Sequence, residues 1–240
     1  LMRHEKPSWS FQFDDGRTAY VIFTTKDHGD LSTDQDPQAL ISTQRSIIDE
    51  KWAYLTQVHG TEVVHVHSPG EYQGAPGDAL LTNSSGVPIS IQVADCAPVA
   101  LVSPLGSLNL VHAGWRGLTL GIIDRAVELM AGLGKAPTVA VIGPCIHPNV
   151  YQFGEKEMRM ICNVFGDSVR SKTREGHLAL NLPKAVEISL TQNGINEIVR
   201  IDECTSNPKK FWSYRLRKDR KRQAMVGWIE SREDDFGESC

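Results

Sequence analysis

The strongest constraint on the fold lies between residues 78 and 113, where the apolar runs DALLT, VPISIQVA, PVALVS and SLNLVHA follow one another with only Gly, Pro and Ser turns between them. Runs this short, rich in Val, Ile and Leu, read as strands rather than helices. Their close succession predicts a sheet meander instead of regular β-α-β winding. The same stretch carries ADCAPVAL and HAGWRG, so an acid, a thiol, a histidine and an arginine sit at the mouths of these strands.

On either side the pattern alternates in type. AYVIFTT (19–25) and EVVHVH (62–67) predict strands, and DPQALISTQRSIIDE (36–50) predicts a helix. GLTLGIIDRAVELMAGLG (117–134) places Leu118, Ile122, Ala126 and Leu129 on one helical stripe and stops at glycine. PTVAVIG (137–143) returns to strand, helices are expected over 154–165 and 182–193, and AMVGWIE (224–230) reads as a closing strand. The class is mixed α and β, and no repeat or long linker divides the chain. A length of 240 residues with 40% hydrophobic content suits a single domain over 1–240.

A net charge of −4 provides no global attraction to nucleic acid or to an anionic membrane. No apolar run reaches the length of a membrane span, and LMRHEKPSWSFQF lacks the apolar block of a signal peptide, so a cytoplasmic protein is expected. The five cysteines are widely spaced, without a C-x-x-C pair, and reduced thiols are expected.

His59, Cys96 and His112 each stand where a strand gives way to a turn. Two imidazoles and a thiolate suit zinc or copper and leave a fourth position open. The plainer alternative is a pair of solvated strand-end histidines and a small core cysteine. His65 and His67 share one side of EVVHVH and read as solvated; Cys145 in IGPCI reads as a buried structural thiol. RLRKDRKR (215–222) reads as a solvated basic loop, with a weak phosphate or nucleic-acid patch as the lesser alternative.

The segments QVHG, DALLT, ADCAPVAL, HAGWRG, IGPCI, CT (204–205) and FWSYR occur in an order that resembles the YfiH family of multicopper-oxidase-like, or laccase-domain, proteins, from about Phe23 to Met225. The resemblance implies an α+β fold of mixed β-sheets packed together with flanking helices, like the deamidating domain of cytotoxic necrotising factor. It implies a zinc enzyme, with copper as an alternative ion, whose ligands match His59, Cys96 and His112. The activities it implies are phosphorolysis of adenosine, inosine, guanosine and methylthioadenosine, together with adenosine deamination. The partners would be purine nucleoside and phosphate, the assembly a monomer or homodimer. Gln57 of QVHG and Arg215 beside FWSY match family positions and are expected at the substrate. Near its start the chain departs from the family: TTKDHGDLS and TQR replace the usual motifs and the NLG segment is missing, although Lys26 and Arg45 keep positive charge and are expected at the substrate or phosphate.

The chemistry of the residues agrees with such an enzyme. A zinc ion on two neutral imidazoles and one thiolate keeps net positive charge and activates water near neutral pH. Asp95, beside Cys96, is a candidate proton carrier, with a hydrogen-bond partner behind the ligands or a turn cap as the equal alternative. Phosphorolysis also needs an anion site. Gly114 and Gly117 would let backbone approach it, Arg116 would donate a bidentate pair, and Trp115 is expected to anchor the core. Three other readings stand beside this one: a copper polyphenol oxidase, a metal-independent hydrolase using Cys96 and His112, and a non-catalytic metal-binding module in cell-wall or division control.

Overall fold

The computed structural model describes residues 6–232; Cys240 lies outside them. Every residue of the strands Ala79–Thr82, Ile89–Val93, Ala97–Ser103 and Ser107–Ala113 is buried. Strands buried on both faces need cover on both sides, and the fold supplies it by stacking two six-stranded sheets between outer helices. The first sheet runs in the order β1 (Trp9–Gln12), β2 (Thr18–Phe23), β14 (Gln223–Glu230), β7 (Ile89–Val93), β3 (Ala53–Thr56), β5 (Ala75–Pro76). The second runs β13 (Glu197–Arg200), β10 (Val139–Ile142), β8 (Ala97–Ser103), β9 (Ser107–Ala113), β6 (Ala79–Thr82), β4 (Val63–Val66). A separate small hairpin pairs β11 (Arg170–Lys172) with β12 (Leu178–Leu180). Both large sheets are mixed: β3 is parallel to β5 and β7, β4 to β6 and β10 to β13, while the remaining pairs are antiparallel.

Three apolar layers follow from this stacking. Between the sheets, Val21, Ile89, Ile91 and Met225 meet Leu80, Val102, Leu108 and Leu110. Outside the second sheet, Leu81, Val99 and Val111 pack with residues of α3 (Ile122–Gly132), α4 (Glu155–Phe165) and α5 (Leu182–Gln192). Outside the first sheet, Leu40 and Ile47 of α1 (Pro37–Ile47) cover Ile22, Val226 and Trp228. Side chains of this size contribute about 1.5–3 kcal/mol each when fully buried. Helix α1 starts where the sequence marks it: Pro37 holds the first position and the Asp36 carboxylate accepts the Ala39 amide at 3.0 Å.

The structure corrects three expectations. The runs between residues 78 and 113 do not form a meander, because β7 joins the first sheet while β6, β8 and β9 join the second. This division lets each of them bury one face against the other sheet, while β6, β8 and β9 bury the second face against helices. The helix expected over 117–134 is broken at Gly121, whose left-handed backbone (φ 89°) ends α2 (Trp115–Leu120) and begins α3. The break rotates the stripe, so that Ile122, Ile123, Ala126 and Met130 are buried and Leu129 only partly so. The basic loop contains a short helix, α6 (Tyr214–Arg217), capped by the Ser213 hydroxyl on the Leu216 amide (3.2 Å). No described helix is long and apolar enough to cross a membrane.

Candidate metal centre

The antiparallel hairpin of β8 and β9 sets up the centre. Its register pairs Ala97 with Ala113 and Pro98 with His112, so Cys96 and His112, distant in sequence, become neighbours at its open end. His59 enters from the turn after β3, with a left-handed backbone (φ 60°) that non-glycine residues rarely adopt. The ligand atoms of His59, Cys96 and His112 lie within 4.8 Å of one another, the one such group of three among the described residues. The Cys96 sulfur is 3.8 Å from His59 Nε2, and the two imidazole rings meet edge to face at 4.8 Å.

A residue that sequence reading did not single out organises this cluster. Asp78, fully buried ahead of β6, accepts the backbone N–H groups of His59 (2.9 Å) and Gly60 (2.7 Å) and, at 3.3 Å, of Val58. It also accepts from His112 Nδ1 at 2.9 Å. A carboxylate can only accept, so Nδ1 carries the proton and Nε2 keeps its lone pair for an ion. One carboxylate therefore shapes the His59 turn and selects the ligating tautomer of His112. Burial favours the neutral acid, yet the hydrogen bonds from His112 and the amides outweigh it and hold Asp78 below its ordinary 3.8. The sequence signal was present but faint: a Gly-Asp pair ahead of a buried run also reads as an ordinary turn.

The donor set fits a four-coordinate ion. Burial alone would keep Cys96 a thiol and His112 neutral, but each stabilises the other's charge in the metal-free protein. The thiol is pulled down to about 6 and the imidazole pushed up to about 9. A Cβ on Gly114 would fall 2.8 Å from His59 Cδ2 and 3.0 Å from the Cys96 sulfur, so only glycine leaves the cluster its room. A Cβ on Gly117 would meet the Gly60 carbonyl at 3.2 Å. Both glycines permit close packing around the cluster, and neither lines the cleft that an anion would enter.

The cluster lies in a cleft of about 510 Å³ that is also lined by Gln57, Asp95, Trp115, Arg116, Tyr151, Tyr214, Arg215 and Arg222. Arg116 is exposed on α2, its guanidinium 4.9 Å above the Trp115 ring and paired with no carboxylate among the described residues. Trp115 in turn packs edge-on against Phe153 at 5.4 Å and joins the core edge. Arg215 stacks on Tyr151 at 4.5 Å and donates to the Gln152 carbonyl. Asp95 is buried, and that burial raises its pKa above the ordinary carboxylate value despite hydrogen bonds that oppose the rise. Gln57 is spent on the sheet: its amide donates to the Gln92 carbonyl (2.7 Å) and accepts from the Gln92 amide (2.8 Å), extending the β3–β7 pairing.

Two cations expected at the substrate are not brought to the cleft. Arg45 sits on the exposed face of α1 beside Asp49 (3.6 Å), and Lys26 lies 4.2 Å over the Trp212 ring with its ammonium on the Pro208 carbonyl. His65 bonds Asn83 outside the cluster, and Cys145 is a buried thiol bridged by backbone to Cys204. A second depression of about 520 Å³, on α5 and β13, shares no residue with the cleft.

Residues 25–230 match the family model described as multi-copper polyphenol oxidoreductase laccase. Among curated sequences, the chain is 34% identical over 193 residues to a purine nucleoside phosphorylase of Deinococcus radiodurans, covering 78% of this chain and 74% of that one. It is 30% identical to a purine nucleoside phosphorylase of Haemophilus influenzae, covering 88% of both. Among solved structures, the hypothetical protein YfiH of Bacillus licheniformis superposes with a TM-score of 0.78 at 23% identity, covering 88% of this chain and 92% of that one. YlmD of Geobacillus stearothermophilus superposes with a TM-score of 0.77 at 23% identity, covering 96% and 99%.

Proposed function

Because the chain belongs to the multi-copper polyphenol oxidoreductase laccase family, whose YfiH-like fold it shares, we propose that its cleft is the active site of a purine nucleoside phosphorylase holding zinc on His59, Cys96 and His112. The observation that carries this reading is the convergence of two imidazoles and a thiolate in a cleft whose wall presents Arg116 with no carboxylate partner among the described residues. The names of the Deinococcus and Haemophilus relatives support the choice of reaction. When bound, zinc on His59, Cys96 and His112 would supply a Lewis acid in the cleft.

This chain's residues then have separable tasks. His112 presents Nε2 because Asp78 holds the proton on Nδ1. Arg116 binds phosphate and directs one of its oxygens toward C1′ of the ribose, where a C–O bond forms as the C–N bond to the purine breaks and the departing base takes up a proton. A bidentate guanidinium suits this role, since it both orients the anion and balances its charge. Arg215 and Tyr214 bound the nucleoside from the α6 part of the cleft wall. Adenosine deamination is the second activity of the same reading: it uses the metal ligands but consumes water, so it has no use for Arg116.

The test is metal analysis of the purified protein joined to an assay of phosphate-dependent base release from inosine and adenosine. Zinc in stoichiometric amount, with release that depends on phosphate and stops in His112→Ala, is the expected result. Copper in its place with oxidation of phenols selects the polyphenol oxidase, thiol-dependent turnover after complete metal removal selects the hydrolase, and bound metal without turnover selects a binding module.

A further inference from the structure

Asp95 joins segments that lie far apart in the chain. It occupies the turn between β7 and β8 and, with φ 115°, is one of four described non-glycine residues with a positive φ. Such a conformation costs on the order of 1–3 kcal/mol and persists only where the surroundings hold it. Here they do. The Asp95 carbonyl accepts the Ile146 amide at 2.9 Å. Its Oδ1 accepts from the hydroxyls of Thr205 and Ser213, each at 2.7 Å, and its Oδ2 accepts the Arg215 amide at 2.6 Å.

All three donors to the carboxylate belong to the 205–215 segment, which carries Tyr214 and Arg215 to the cleft. Ser213 also caps α6, so one hydroxyl links the carboxylate to the helix on which Tyr214 and Arg215 stand. We infer that Asp95 is a positioning residue: its carboxylate clamps the 205–215 segment against the β7–β8 turn and so builds the part of the cleft wall that carries Tyr214 and Arg215, instead of carrying protons in the reaction. The kinetic part of this inference rests on the nucleoside reading; the clamp itself does not.

Hydrogen-bond chemistry separates the two roles sharply. In Asp95→Asn, the amide oxygen still accepts the Arg215 N–H, and its two N–H groups face hydroxyls that can turn and accept. The clamp survives while the ionisable proton is lost. In Asp95→Ala both are lost. Amide hydrogen exchange over 213–217, measured on the metal-loaded full chain, is expected to accelerate at least about tenfold in Asp95→Ala and to stay within about threefold of wild type in Asp95→Asn. In the phosphorolysis assay, Asp95→Asn should keep kcat within about threefold, whereas Asp95→Ala should raise the nucleoside KM at least about tenfold with its metal retained.

If Asp95→Asn loses kcat as severely as Asp95→Ala at unchanged KM, Asp95 carries protons and the inference is overturned. Unchanged exchange over 213–217 in Asp95→Ala overturns it as well. Should Asp95→Ala fail to fold, Thr205→Val and Ser213→Ala each remove one clamp donor, and an absence of faster exchange at the Arg215 amide in both variants decides against the clamp. A wild type without nucleoside turnover would remove the proposed function but leave the exchange measurements to decide the clamp.

Discussion

Asp78→Asn tests how much of the centre hangs on one buried carboxylate. In the wild type both oxygens are committed: Oδ1 to His59 N and His112 Nδ1, Oδ2 to Gly60 N and Val58 N. An asparagine must place its NH₂ at one of these positions, facing two donors whichever way it turns. One flip strands the amides of Val58 and Gly60; the other strands the His59 amide and drives the His112 proton to Nε2, where it blocks ligation. The first arrangement strands two donors and the second one, at about 1–3 kcal/mol each, so the loss by the cheaper arrangement is about 1–3 kcal/mol before relaxation. About 2 kcal/mol should lower the melting temperature of a chain this long by roughly 4–8 °C. Removing such a partner from a metal-bound histidine typically weakens the metal about 10–100-fold.

The assays are thermal unfolding of the metal-free protein and zinc competition with a chelator. Because the folded Asp78 titrates below its ordinary 3.8, its stabilisation is fully present above that pH and disappears as acid protonates it. The difference between variant and wild type should therefore shrink below about pH 4. An Asp78→Asn protein that melts within about 2 °C of wild type near neutral pH and binds zinc within about threefold would refute the reasoning.

Arg116→Ala should lower phosphate-dependent base release at least about tenfold, or about 1.4 kcal/mol on the barrier, while adenosine deamination at saturating substrate falls much less; equal loss of both activities in a folded, metal-loaded protein would return Arg116 to a structural role. Gly114→Ala adds a Cβ against both His59 and Cys96, so zinc affinity should fall roughly tenfold or more with little change in the fold's circular dichroism. In the metal-stripped protein the Cys96 thiolate absorbance should grow as pH rises through about 6, and it should vanish from that range in His112→Ala. Alkylation of Cys96 should be faster after chelation than before, because a ligated thiolate is shielded.

The parts of the centre that were legible in the sequence are those that a local register brings together. Cys96 and His112 end one hairpin, and the runs between them prescribe it. His59 could be named from its residue type and its place after a strand. Asp78 could not, because its importance lies in four donors arriving from two other segments. Gln57 misled for the converse reason: a polar side chain beside a cleft reads as a substrate contact until its pairing with Gln92 is seen. Lys26 and Arg45 carry the right charge, but whether a cation reaches the cleft depends on the packing of α1 and of the Trp212 segment, which no periodicity encodes. Periodicity also placed the longer helices correctly except at Gly121, where one residue's backbone outweighs the stripe on either side, and it did not reveal the short α6 in the basic loop.

The position of β14 has a consequence for how the molecule is made. It follows every other described strand, yet it lies inside its sheet, hydrogen-bonded to β2 on one side and β7 on the other. During synthesis the second sheet, with the Cys96–His112 hairpin, can assemble from residues already outside the ribosome, whereas β2 and β7 must wait with open edges for a neighbour not yet translated. Open apolar edges are where nascent chains pair wrongly. Trp228 and Val226 arrive last to close the layer beneath α1, so a ribosome that stalls shortly before them leaves behind a chain with its ligand residues in place and half of its architecture unsealed.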